Sequence, residues 1–296
     1  MLLRLLIFVP FFFTFSISIG SATRDTIKYV QTHNLKGQFL KIGSGAGWFA
    51  IRDVETSPLI YKGVLPSIQI GACLYGKKMV TLFDFNFSYG HLTTRNYPFY
   101  EENSATAYNN FLSLSIARKI ELGSMSKTNL FVGGNLALTA NFRDNSKFNN
   151  ANFNWEAFST FGPTVIIEKE LDLSSDNVNL GLFRWPFRDR IIKLSASFSL
   201  PVLSEIGRPP YTTIGDFVDG HSSYFSLKDM QLVSFHNFFN LVSTTNVTYY
   251  LQNGNRFNLS YYWYYYDYNP SINKVKGIAG IFSFSFLFRL NKINNR

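Results

Sequence analysis

One cysteine, Cys73, in 296 residues excludes an internal disulfide and any cysteine-cluster metal site. Histidine is nearly as scarce. His33, His91, His221 and His236 are the only four, and none stands in the H-x-x-x-H or H-x-H spacing that brings two imidazoles onto one metal. Charged residues make up 16% of the chain, against about 25% in ordinary soluble domains, so a wholly water-facing surface is hard to build. A helical membrane protein is excluded as well. The mean hydropathy is only −0.01, and beyond residue 22 there is no uninterrupted apolar run of 18 residues from which to make a spanning helix. The net charge of +9 and pI near 9.5 come without a run of five Lys and Arg, a zinc-finger spacing or an aromatic RNA-binding signature. Nucleic acid is therefore not an expected partner, whereas an anionic membrane surface or lipopolysaccharide phosphate is.

What the chain has in excess is aromatic residues, 18% of the total with 31 Phe and 17 Tyr. They recur with a period of two. Phe83, Phe85, Phe87 and Tyr89 alternate with Asp84, Asn86, Ser88 and Gly90, and Phe282, Phe284, Phe286 and Phe288 alternate with Ser283, Ser285 and Arg289. Such alternation makes strands with one aromatic and one polar face. The pattern predicts about ten strands, at 38–52, 64–75, 79–92, 107–121, 128–143, 152–169, 189–203, 228–252, 255–269 and 275–290. Gly76-Lys77-Lys78, Gly123 to Ser126 and Asn253-Gly254-Asn255 read as tight turns. Longer polar loops, Thr93 to Thr106 and Glu205 to Leu227, alternate with them. Asp172 to Arg188 is too long for the short-turn series, so it hides either an extra hairpin, which would make twelve strands, or an ornament outside the ring.

The first 22 residues read as a secretory signal: Arg4, an apolar run from Leu5 to Ile19, then Gly20, Ser21 and Ala22. The expected organisation is a signal peptide at 1–22, a short periplasmic segment at 23–36 and a β-barrel at 37–296. Strands of ten or more residues match the ~9–11 that cross a bilayer at a tilt, and exceed the ~5–6 of a soluble sandwich. Tyr261 to Tyr268, Trp48, Trp155 and Trp185 fall near strand ends, where an interfacial aromatic girdle is expected. With no spanning helix, backbone groups inside hydrocarbon must be satisfied around a closed ring of strands.

Over Gly37 to Leu290 the chain resembles the integral outer-membrane β-barrel proteins of Gram-negative bacteria, with a composition similar to those of the Bacteroidota. The resemblance is one of architecture. It implies an all-β, antiparallel up-and-down transmembrane barrel, residence in the bacterial outer membrane, and contact with outer-membrane lipid, lipopolysaccharide and, during biogenesis, the outer-membrane assembly machinery. The segment Gly277 to Leu290 looks like the closing strand that machinery recognises, although a polar tail, Asn291 to Arg296, follows Phe288.

With the aromatic face toward lipid, the other face assigns to the lumen Lys41, Asp84, Asn86, Glu156 and Glu168, and on later strands Lys193, His236, Asn240 and Arg289. Asp84, Glu156 and Glu168 are expected to pair with Lys41, Lys193 and Arg289, leaving a filled interior. A narrow conduit lined by those charges is the alternative. His236, with Ser234 and Asn240 nearby and Asp84 or Glu156 within reach across the barrel, is the one candidate base for a membrane-embedded hydrolase. Neither a Ser–His spacing nor paired carboxylates accompany it, so no catalytic, cofactor or metal residue is assigned. Gly43, Gly45 and Gly47 lack the strand-to-helix context of a phosphate loop and are expected to allow close approach inside the barrel. The sequons at Asn86, Asn246 and Asn258 lie inside strands and are chance matches. Arg95, Tyr97, Phe99, Tyr100, Glu101 and Glu102, then Arg208 to Tyr211, Asp216 and Asp219, populate long loops that either bind a protein, glycan or lipopolysaccharide partner or fold over the mouth of the barrel. The expected function is a non-enzymatic structural or accessory barrel binding through those loops, with a porin-like channel for small solutes second and a lipid hydrolase third.

Overall fold

The computed structural model describes residues 36–290 apart from 55–56, 95–102, 122–127, 146–152, 174–177, 181–182, 186–189, 209–229, 252 and 271–273. The alternating sequence forms β1 (Gly37–Asp53), β2 (Ser57–Tyr75), β3 (Met79–Thr94), β4 (Asn103–Ile120), β5 (Thr128–Asp144) and β6 (Phe153–Leu173). After a small hairpin, β7 (Val178–Leu180) and β8 (Phe183–Trp185), come β9 (Arg190–Ser199), β10 (Leu203–Gly207), β11 (Gln231–Ser234), β12 (Phe238–Tyr250), β13 (Arg256–Tyr268) and β14 (Val275–Arg289). Every pairing is antiparallel between neighbours, and β1 pairs with β14 over its whole length, from Phe39↔Arg289 to Asp53↔Val275. Pairing of β6 with β9 closes the ring at ten strands, in the order β6-β5-β4-β3-β2-β1-β14-β13-β12-β9. The hairpin β7–β8 is a separate two-stranded sheet, so the ornament is the correct choice for the 172–188 segment and the ring does not grow to twelve.

Three expected boundaries are corrected. Residues 57–63 are strand, because β2 stays paired with β1 as far as Asp53↔Ser57, where a loop was expected. The 189–203 and 228–252 segments are each broken. Strand β9 gives way to β10 around Pro201, which has no N–H for a ladder. Opposite this point the chain makes a β-turn, with Asn237 N donating to Ser234 O at 3.1 Å, and steps from β11 to β12. Both β10 and the lower strand β9 pair with β6, so β6 bridges the break. Val202 N still donates to Phe161 O at 3.0 Å while Leu203 is already the register partner of Phe161. Two residues therefore face one, which is a β-bulge.

The outer wall is apolar. Ile42, Val64, Ile68, Leu136, Phe161, Leu259, Phe282 and Phe284 all point outward and are exposed. The polar side chains turn inward. Lys41, Gln69, Asn86, Asn135, Glu156, Lys193 and Asn258 are each no more than 6% exposed. This inversion of a soluble protein suits an apolar solvent around the wall.

Candidate functional site in the barrel lumen

The start of β1 and the end of β14 lie at the same end of the barrel as the Gly76–Lys78 and Asn253–Asn255 turns, which in this architecture is the periplasmic end. From there the interior divides into three levels.

At the periplasmic level Arg256, fully buried, lays its guanidinium over Phe39, Tyr75 and Tyr250, at 3.8, 5.1 and 4.5 Å from their centroids. Such a cation buried among ring faces is held by their quadrupoles. Lys193 Nζ donates to Glu168 at 2.7 Å and stands 4.1 Å over the Tyr75 ring. Arg289, half-buried at the rim, donates to the Lys36 carbonyl at 3.1 Å.

The middle level is small and hydroxylic. Lys41 on β1 pairs with Asp84 on β3 by reaching across β2. The residue beneath the pair is Gly71, where a Cβ would come within 2.8 Å of Asp84 Oδ1 and 3.4 Å of Lys41 Cε. Ser283 donates to Gln69 at 3.2 Å across β1 in the same way. Gly43, Gly45 and Gly47 lie under these bridges, and a Cβ on any of them would run into β14. Asn258 donates to Asn246 at 3.2 Å and to Ser260 at 2.6 Å, so the sequon asparagines are engaged inside the barrel.

The extracellular level holds the aromatic plug. On β13 the inward residues are Tyr262, Tyr264, Tyr266 and Tyr268, each no more than 7% exposed. They pack against Phe111, Phe158 and Phe238. Strands β4 and β13 are diametrically opposite in the ring. They nevertheless touch: Phe111 and Tyr262 have centroids 4.6 Å apart, and Asn109 Nδ2 donates to the Tyr264 hydroxyl at 2.8 Å. The Tyr266 ring covers Gly277 on β14, where a Cβ would overlap it. Above the plug sits a charged cluster. Arg143 pairs with Asp53 at 2.6 Å and Glu156 at 3.2 Å, and Arg208 reaches Asp53 at 2.8 Å. Asn154 donates to Asp53 at 2.6 Å, Asn141 to Glu156 at 2.8 Å, and the Tyr266 hydroxyl to Glu156. A cavity of about 30 Å³ remains beside Leu65, Asn109, Arg143, Tyr264 and Tyr266, room for about one water.

Of the lumen candidates, Lys41, Asn86, Glu156, Glu168, Lys193 and Asn240 are buried inside, and Asp84 and Arg289 are half-buried there. The carboxylate pairing differs from expectation in one respect: Glu156 takes Arg143, while Arg289 stays at the opposite end. His236 is corrected. It lies exposed in the turn between β11 and β12, on no strand, because the chain steps there instead of continuing as a strand. The even tyrosines of 261–268 are also corrected, since they fill the lumen instead of forming a girdle; Trp48 does face outward, 38% exposed. Trp155 is buried beside Gly207. The Trp185 side chain lies outside the described residues, as do the loop residues 95, 97, 99–102, 209–211, 216 and 219, and the 1–22 and 23–35 segments. Arg208, one of the long-loop residues, is buried in the mouth cluster, which fits the folded-over alternative at that position.

Asp53, Arg143, Arg208 and Arg256 are interior residues that the sequence reading did not select. All four lie at or beyond the expected strand ends, and continuing the period-two inward phase by one or two residues recovers Asp53 and Arg143. Arg208 stays hidden, because the bulge changes the phase before it.

A closed antiparallel ring with an apolar outside and a hydrogen-bonded, charge-paired inside defines an integral transmembrane β-barrel of the bacterial outer-membrane class. No family model and no curated protein sequence matches the chain. Among solved structures it is similar to the outer membrane protease OmpT of Escherichia coli, at 9% identity over 88% of this chain and 98% of that one, with a TM-score of 0.47. The translocator domain of the autotransporter NalP from Neisseria meningitidis matches at 10% identity, covering 88% and 92%, with a TM-score of 0.34. The Pseudomonas putida toluene transporter TodX matches at 8% identity, covering 87% and 91%, with a TM-score of 0.33.

Proposed function

We propose that this is a closed, non-enzymatic outer-membrane barrel that serves as a structural or accessory component and meets its partner at the extracellular face. The observation that carries the reading is the contact between opposite walls: Phe111 on β4 against Tyr262 and Tyr264 on β13, roofed by Asp53, Arg143, Glu156 and Arg208. A solute path through the lumen would have to displace both. The carboxylates that a hydrolase would need as bases are committed to cations, and His236 sits apart from them in its exposed turn.

The test is planar-bilayer conductance of the refolded mature protein, with the unboiled-versus-boiled gel shift as the check of folding. The expected result is a folded, silent barrel. Steady, ion-selective steps would refute the closed reading and favour a narrow channel. That second reading draws on the middle level, where Ser67, Ser88, Ser283 and Ser285 give the lumen a small polar lining.

A further inference from the structure

The outer wall carries a charged feature that the lumen reading does not use. On its outward face β1 bears Arg52, β2 bears Lys62 and β14 bears Lys276, three adjacent strands of the ring. The registers bring them together. Arg52 is directly opposite Lys276, and Lys62 is opposite Ala50, one outward position from Arg52. Direct cross-strand partners have Cβ atoms about 4.5–5.5 Å apart and diagonal ones about 7–8 Å, so the three cations lie within the span of one phosphorylated headgroup. All three are exposed, as is Lys274 at the foot of β14. On β13, β14, β1 and β2, Asp267 is the single outward carboxylate among the described residues; it pairs with Lys276 at 2.6 Å and accepts from the Tyr265 hydroxyl at 3.3 Å. Arg52 Nε donates to the Pro58 carbonyl at 3.2 Å, which holds the guanidinium against the wall, and its two terminal nitrogens make no hydrogen bond to a described residue.

The height of the cluster is fixed by its surroundings. Trp48 lies two outward positions below Arg52 on the same face, and the Tyr261 and Phe282 rings pack alongside, tilted by 34° with centroids 4.4 Å apart. Exposed Ile60 and Val64 flank Lys62. Amphipathic rings of this kind settle at the boundary between hydrocarbon and headgroups. The cations therefore stand just outside the hydrocarbon at the extracellular end, at the headgroup level of the outer leaflet. A soluble anion would meet the charges but not the apolar flanks, whereas a phosphorylated lipid meets both.

We infer that Arg52, Lys62 and Lys276 form a binding site for a phosphorylated glycolipid of the outer leaflet, with its phosphate against the three cations and its acyl chains along the Trp48–Val64 wall. Each surface cation near an anionic lipid strengthens binding about fivefold. The test is native mass spectrometry of the refolded full chain in nonionic detergent, titrated with bis-phosphorylated lipid A, with the same lipid after dephosphorylation, and with inorganic phosphate as competitor. The wild type is expected to prefer the phosphorylated lipid by about tenfold or more, and R52Q/K62Q/K276Q to lose that preference. D267N, which releases Lys276, is expected to tighten binding; it removes no cation, so it decides the matter even if the triple variant fails to fold. Equal binding of the two lipids, an unchanged triple variant, or an unaltered D267N overturns the site. Displacement of the lipid by an equal concentration of inorganic phosphate overturns the lipid assignment.

Discussion

Replacing Arg143 by Met removes the cation that joins the two carboxylates of the extracellular cluster. Asp53 keeps Arg208 at 2.8 Å, but Glu156 is left with the Asn141 amide, the Tyr266 hydroxyl and no positive partner. Breaking a buried pair and stranding its charge costs about 3–5 kcal/mol. Arg208→Met takes a charge-assisted hydrogen bond from an Asp53 that still has Arg143 at 2.6 Å, so it strands no carboxylate and should cost less than R143M. Neutralising the stranded acid tests the cause. The double variant R143M/E156Q should fall back to about 1–2 kcal/mol, because the remaining loss is then hydrogen bonding alone. The assay is denaturant unfolding of the full chain refolded into lipid vesicles, followed by tryptophan fluorescence, with all variants measured at one pH and ionic strength. An R143M cost within about 1 kcal/mol of wild type, or no recovery in R143M/E156Q, would refute the argument that the cluster is a desolvated network.

Two further substitutions test the interior. Lys41→Met leaves Asp84 beneath an apolar chain and should destabilise the barrel by about 1–3 kcal/mol in the same unfolding assay, while K41M/D84L, with both charges gone, should recover most of the loss. Gly277→Val drives a side chain into the Tyr266 ring and should cost about 1–3 kcal/mol, or block the folded gel form outright; G277V/Y266A should restore the folded band by returning the space.

The strands were legible because a bilayer demands long uniform alternation, and the ring of ten follows from runs such as Phe83–Tyr89 and Phe282–Phe288. The β13 segment shows where alternation stops being informative. Arg256–Tyr268 carries aromatics on both faces, so period two located the strand but gave no sign that Tyr262, Tyr264, Tyr266 and Tyr268 point inward. Their burial is set by the opposite wall, from residues such as Phe111 and Asn109 more than 150 positions away. The pairs Lys41–Asp84 and Lys193–Glu168 were accessible from inward phase and opposite sign. Arg143 was missed as the partner of Glu156 because it ends its strand, where period is weakest. His236 reads as part of a strand because Ser234 and Asn240 carry polar side chains at the same parity on either side of it. Pro201 inside the expected 189–203 strand was the visible warning that one ladder ended there.

The bulge at Val202 and Leu203 acts on its strand as an inserted base acts on a reading frame. Before it the inward set is odd, with Ile191, Lys193 and Ser199 buried; after it the set is even, with Ser204, Ile206 and Arg208 buried. Both bulge residues face out, 48% and 45% exposed. Remove one residue of the pair and the strand runs on in plain alternation with Arg208 still inward, losing only the local kink; remove one residue between Ser204 and Gly207 instead and Arg208 turns from Asp53 toward lipid. Evolution of this rim is therefore constrained in parity as well as in chemistry: a second single-residue change between Leu203 and Arg208 can restore the cluster, while a conservative substitution at Arg208 cannot compensate for a lost frame.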